Sequence, residues 1–121
     1  MTERSGRGDP LVTFSVSGPV ELDALPQSLK GRPRYDVTVV GKPLSPTVLR
    51  SADDLDALCT LWRELLARLE TRHRNRPISL VLAVPAAVAV EIGRAHMKDA
   101  HPPLRVFDRI EGGYKLAAEI T

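Results

Sequence analysis

Apolar positions change their spacing several times along the chain, and each change marks a boundary between elements. Residues 78–84, ISLVLAV, are apolar at nearly every position, with β-branched Ile78, Val81 and Val84 among them. That pattern suits a central strand covered on both faces. Pro85 cannot donate to a sheet ladder but fits the first position of a helix, so a helix is expected over 86–97. Its first two turns are apolar nearly all round, and charge returns at Arg94, Lys98 and Asp99. The helix is therefore expected to start buried and end in solvent. His101-Pro102-Pro103 breaks the chain, and LRVFDRI, 104–110, follows as a second strand. The whole reads as a parallel βαβ unit with a right-handed crossover.

The remaining segments place this unit in a larger sheet. LVTFSVS, 11–17, is a β-rich run stopped by Ser17-Gly18-Pro19. Prolines at 19, 26 and 33 leave room for one helical turn around ELDAL in an otherwise irregular link. YDVTVV, 35–40, is a further strand closed by Gly41-Lys42-Pro43, and 47–49 suffices only for a short edge strand among prolines. Residues 51–73 form the long helix. Ser51 with Asp54 fits a capping box, and Asp53, Asp54 and Asp56 lie where the helix dipole is positive. Leu55, Leu58, Trp62, Leu65, Leu66 and Leu69 make one apolar stripe, with Glu64 and Arg68 paired four apart on the other side. Glu111-Gly112-Gly113 then turns the chain into a last strand, 114–120, antiparallel to the one before. The expected fold is α/β, a three-layer, mostly parallel sheet with an antiparallel C-terminal hairpin. The polar, glycine-rich residues 1–10 are expected to be a disordered tail, leaving 11–121 as the domain.

Composition narrows the functional classes. A chain of 121 residues with 43% hydrophobic content matches one globular domain. Seventeen basic against fifteen acidic residues permit an anionic ligand without demanding one. The single cysteine, Cys59, excludes a disulfide framework within the chain, and a cytoplasmic setting is expected. No run approaches the ~18 apolar residues of a membrane span, and the start of the chain does not resemble an export signal. Metal and catalytic signatures are lacking: His73, His96 and His101 are not spaced as a ligand set, and nucleophile-elbow, HExxH, P-loop and dinucleotide motifs are missing. No cofactor or catalytic residue is expected. Glu91 reads as an exposed position at the turn where the second helix becomes solvated, and Cys59 as a small hydrophobe off the main stripe. Arg72, His73, Arg74 and Arg76 suit either an anion site or a solvated helix C-terminus.

A binding geometry remains. Ligands of open α/β sheets sit beyond the carboxyl ends of the strands, where a following helix offers free N–H groups to anions. Here that corner is Pro85, Ala86, Ala87 and Val88, with Ser17 and Gly18 ending the first strand and Lys42 ending the second. Small side chains at the corner either admit a phosphate to the backbone or simply pack and favour helix.

The run ISLVLAVPAAVAVEIGRAH, then LRVFDRI and GGYKLAAEI, resembles the C-terminal part of the SAVED domain. LCTLWRELLARLE and YDVTVV occupy matching upstream positions, so the resemblance extends from about Leu11 to the end. It implies a Rossmann-like, CARF-like half domain and a role as a sensor of cyclic oligonucleotides in bacterial antiphage defence, in CBASS or type III CRISPR systems. The implied ligand is a cyclic tri- or tetranucleotide held at the strand ends; duplex nucleic acid and membranes are not implied. SAVED domains fuse two such halves and are usually attached to an effector. With one half and no recognisable effector here, self-association or a partner bearing the other half or an effector is expected. A structural adaptor without ligand, or a ring-cleaving enzyme, are the competing expectations.

Overall fold

The computed structural model describes residues 1–38, 52–74, 76–84, 86–96 and 101–120. Expectations resting on residues 39–51, Pro85 and 97–100, including Lys42 and the Ser51 cap, lie outside the described residues. Among the described residues, eight elements of helix or strand follow one another: β1 (Thr2–Arg4), β2 (Leu11–Ser15), β3 (Arg34–Thr38), α1 (Ala52–His73), β4 (Ile78–Ala83), α2 (Ala86–Arg94), β5 (Leu104–Ile110) and β6 (Gly113–Ile120). The strands form one sheet in the order β1-β3-β2-β4-β5-β6. The four inner strands are parallel, and β1 and β6 are antiparallel edges.

This order dictates how the faces are covered. From β2 the chain moves to one side to reach β3, then crosses back over β2 to β4 and continues to β5. Right-handed crossovers that run in opposite directions must lie on opposite faces. Accordingly, α1 and α2 share one face, and the link between β2 and β3 covers the other. On the helical face, Val12, Phe14, Val16, Ile78, Leu80 and Leu104 pack against Trp62, Leu65, Leu66, Leu69, Val88 and Ile92. Trp62 is the centre of this layer. It is fully buried, meets Phe14 edge to face at 5.6 Å, and its indole N–H donates to the Ile92 carbonyl at 3.0 Å, tying α1 to α2.

The opposite face is thinner. The prolines of the link allow two 3₁₀ turns, Leu22–Ala24 and Gln27–Leu29, rather than the one turn expected. They place Val20, Leu25 and Leu29 over Leu11 and Val81, with Phe107 and Tyr114 at the margin. Two polar groups are buried in the sheet beneath, Thr13 and Ser79. The Thr13 hydroxyl donates to Asp36 at 2.6 Å, and Arg34 holds the other Asp36 oxygen at 2.9 Å.

The structure corrects the reading of the N-terminus. Thr2–Arg4 is not loose: it pairs with Arg34, Tyr35 and Asp36 as an edge strand. Three polar residues exposed on both faces carry no hydrophobic alternation, so the strand left no periodic signal. Its anchor is tertiary, since Glu3 meets Arg68 at 2.5 Å and Arg72 at 3.2 Å. Arg68 thus reaches across to β1. Two boundaries also move inward. β2 ends at Ser15, and α2 ends at Arg94, where His96 N–H reaches back to Gly93 in a tightened last turn. The β5–β6 hairpin forms as expected, with Gly112 at φ 81° in its turn, a left-handed conformation that glycine adopts without strain.

Candidate ligand site at the strand ends

The direction of travel reverses at β2, so β2 and β4 flank the point where connections leave in opposite directions. Such switch points open a crevice at the carboxyl ends of the strands. Here the crevice floor is held by Ala83, whose carbonyl accepts from both Val16 N–H at 2.9 Å and Ser17 N–H at 2.8 Å. The Ser15 hydroxyl oxygen accepts from Val20 N–H at 3.0 Å, which folds the chain back over Gly18-Pro19. Thr38 donates its hydroxyl to the Ser15 carbonyl at 3.0 Å and ties in the end of β3.

Above this floor lies an open cavity of about 430 Å³ lined by Ser17, Pro19, Glu21, Ala83, Arg109 and Tyr114, among others. Its charged wall comes from the hairpin. Arg109 and Tyr114 are directly opposed across β5 and β6, and the guanidinium lies over the Tyr114 ring, 5.2 Å from its centre. Glu21 joins both: its N–H donates to the Tyr114 hydroxyl at 3.0 Å and its carboxylate meets Arg109 at 2.9 Å. Interaction with the Tyr114 hydroxyl, and then with Glu21, pushes the Arg109 pKa above the ordinary guanidinium value. Arg109 is a permanent cation, and its side chain is 47% exposed.

Of the residues expected at this site, Ser17 lines the cavity and Gly18 sits beside it in open space. Ala86 is exposed at the first position of α2, and Ala87 follows it in the helix. Val88 is 2% exposed and packs in the helical core, so its side chain turns away from the strand-end surface. Lys42 and Pro85 fall outside the described residues. Sequence reasoning missed Glu21, Arg109 and Tyr114. The hairpin turn, once recognised, fixes Arg109 opposite Tyr114, and that register was the available signal. Glu21 had none, because the course of the link is set by tertiary packing.

The arrangement can bind an anion and stack an aromatic ring. Among the described residues, no three histidines, cysteines, aspartates or glutamates gather as a metal site. Cys59 is buried, and burial, followed by the charge of Glu91, pushes its thiol pKa up, away from nucleophilic use. At the end of α1, Arg72 is tied to Glu3, Arg76 to Asp9 at 3.3 Å, and His73 to the Tyr35 hydroxyl at 2.7 Å. No helix among the described residues is long and apolar enough to cross a membrane.

Residues 1–120 match the model of the SAVED family, described as the SMODS-associated and fused to various effectors sensor domain. No curated protein matches the chain in sequence. Solved structures share the fold. A Cap4 SAVED/CARF-domain containing receptor of Acinetobacter baumannii with the cyclic trinucleotide 2′3′3′-cAAA has TM-score 0.78 at 15% identity, over 98% of this chain and 26% of the receptor. The same receptor with 3′3′3′-cAAA has TM-score 0.76 at 14% identity, over 95% and 25%. The Moraxella osloensis Cap4 receptor has TM-score 0.58 at 16% identity, over 98% and 23%. The chain therefore spans about a quarter of the length of these receptors.

Proposed function

Because the chain belongs to the SAVED family, we propose that it is a sensing module for a cyclic oligonucleotide of bacterial antiphage defence, with no chemistry of its own. The observation that carries this reading is the Arg109–Tyr114 pair set beside Ser17 at the sheet's switch point. Arg109 supplies a fixed positive charge for a phosphodiester, and the Tyr114 ring supplies a face for a base. The Ser17 hydroxyl and neighbouring backbone fix orientation. The shared fold with receptors that carry cyclic trinucleotides supports the ligand class.

A cavity of about 430 Å³ takes one nucleotide unit, not a whole ring with several phosphates. The remainder of the ligand is covered by a second half domain, supplied by another copy or by other polypeptide, and bridging the two halves is the signal. A ligand-free adaptor role is the second reading, and one contact favours it: Glu21 already occupies the guanidinium that a phosphate would take.

Titration calorimetry with cyclic di-, tri- and tetranucleotides separates the two. The sensor reading expects one ring size to bind, Arg109→Gln to weaken it roughly tenfold or more, and Ser17→Asp to abolish it by setting a carboxylate against phosphate. Light scattering with the same ligand is expected to show assembly. A chain that ignores every cyclic oligonucleotide leaves the adaptor.

A further inference from the structure

A second groove, of about 480 Å³, opens where β1 meets the start of β3, under the 3₁₀ turns and at the amino end of the parallel strands. It is separate from the strand-end cavity. Arg4, Lys30, Arg32 and Arg34 line it, with Asp23 as the one carboxylate among the described lining residues.

Several cations at this end of the sheet are paired. Nearby, Arg68 and Arg72 share Glu3, while Arg76 and Arg105 share Asp9. Arg34 has Asp36. Among the described residues, Arg4, Lys30 and Arg32 make no ion pair. Two features raise the cost of leaving them so. Arg4 and Arg34 stand directly opposite each other across the β1–β3 ladder, a like-charge pairing that destabilises a sheet. Arg32 Nη1 is shielded from solvent and makes no hydrogen bond within the chain, although a desolvated guanidinium donor requires an acceptor. An anion with several acceptor oxygens relieves the like-charge pairing, and the Arg32 side chain lines the same groove.

We propose that this groove binds linked phosphate groups, as in a free polyphosphate or the phosphate chain of a nucleoside polyphosphate. Three uncompensated cations match a chain of phosphates better than a single one, and forked guanidinium donors suit adjacent phosphate oxygens. Asp23 at the rim limits affinity.

Titrating the protein with monophosphate, tripolyphosphate and ATP tests this by calorimetry and thermal shift. Tripolyphosphate is expected to bind at least ~10-fold tighter than monophosphate and to raise Tm. The Arg4→Gln, Lys30→Gln double variant, altered at exposed positions, is expected to lose ~10-fold or more in affinity. Asp23→Asn is expected to gain several-fold, and Arg109→Gln to leave binding unchanged. ATP matching tripolyphosphate identifies the phosphate chain as the whole determinant; tighter ATP binding adds the nucleoside to it. Equal affinity for monophosphate and tripolyphosphate overturns the proposal. So does the absence of binding, or a loss in Arg109→Gln with none in the double variant.

Discussion

The two faces of the sheet are covered by unequal means. One carries α1 and α2 with a close-packed aromatic and leucine layer centred on Trp62. The other carries a link of two 3₁₀ turns that contributes three apolar side chains, Val20, Leu25 and Leu29. Both grooves open at the margins of this thin side. Helical cover satisfies its own backbone along its middle turns and excludes water, so only its ends keep polar groups to offer a ligand. Irregular cover needs side-chain acceptors such as Ser15 and Tyr114 to satisfy its N–H groups, and those polar groups line the strand ends. Stability is thus concentrated on the helical face, and both candidate grooves lie on the linked one.

Truncations on the two faces measure that division directly. Trp62→Ala removes the largest buried side chain and the indole bond to Ile92, and is expected to cost about 3–5 kcal/mol in urea unfolding. Leu29→Ala, although equally buried, is expected to cost about 2 kcal/mol, because a short 3₁₀ turn can settle into the space. Equal losses would mean that the link is as firmly packed as the helices. Tyr114→Phe keeps the ring and deletes one acceptor for Glu21 N–H, and is expected to cost about 1 kcal/mol. If the Proposed function holds, it leaves base stacking intact while freeing the link.

The smallest effect is a pH dependence. Burial, followed by the charges of Arg72 and Arg76, lowers the His73 pKa below its ordinary 6.5. The unfolded chain therefore takes up the proton first as pH falls, so protonation favours unfolding. Stability contributed by neutral His73, which bonds the Tyr35 hydroxyl, is present above pH 6.5 and declines as pH drops from there towards the folded value. Circular dichroism melts between pH 7.5 and 5.5 are expected to show a falling Tm, and His73→Gln to flatten that slope.

Much of the architecture was legible because burial imposes period. The α1 stripe from Leu55 to Leu69, the doubly covered β4 and the hairpin at Gly112 all follow from spacing and turn chemistry. β1 was not legible, since Thr2-Glu3-Arg4 bury nothing and are held by ion pairs from residues more than sixty positions away. The strand-end corner was located from the order of elements, and Ser17 was found there. Glu21, Arg109 and Tyr114 escaped because a half-exposed arginine on an edge hairpin looks the same in sequence whether it faces solvent or a crevice.

Alternation, turn residues and proline breaks by themselves determined both helices and every described strand but β1, and that the inner strands run parallel, because each such choice is local or fixed by the chirality of the chain. Only the tertiary structure decided what the charges do. Arg72 and Arg76 are quenched by carboxylates brought from the N-terminus, Arg109 is poised over Tyr114, and Arg4, Lys30 and Arg32 make no ion pair among the described residues. Coulomb interactions depend on distance in space, and distance in space is what a linear sequence of residues does not contain.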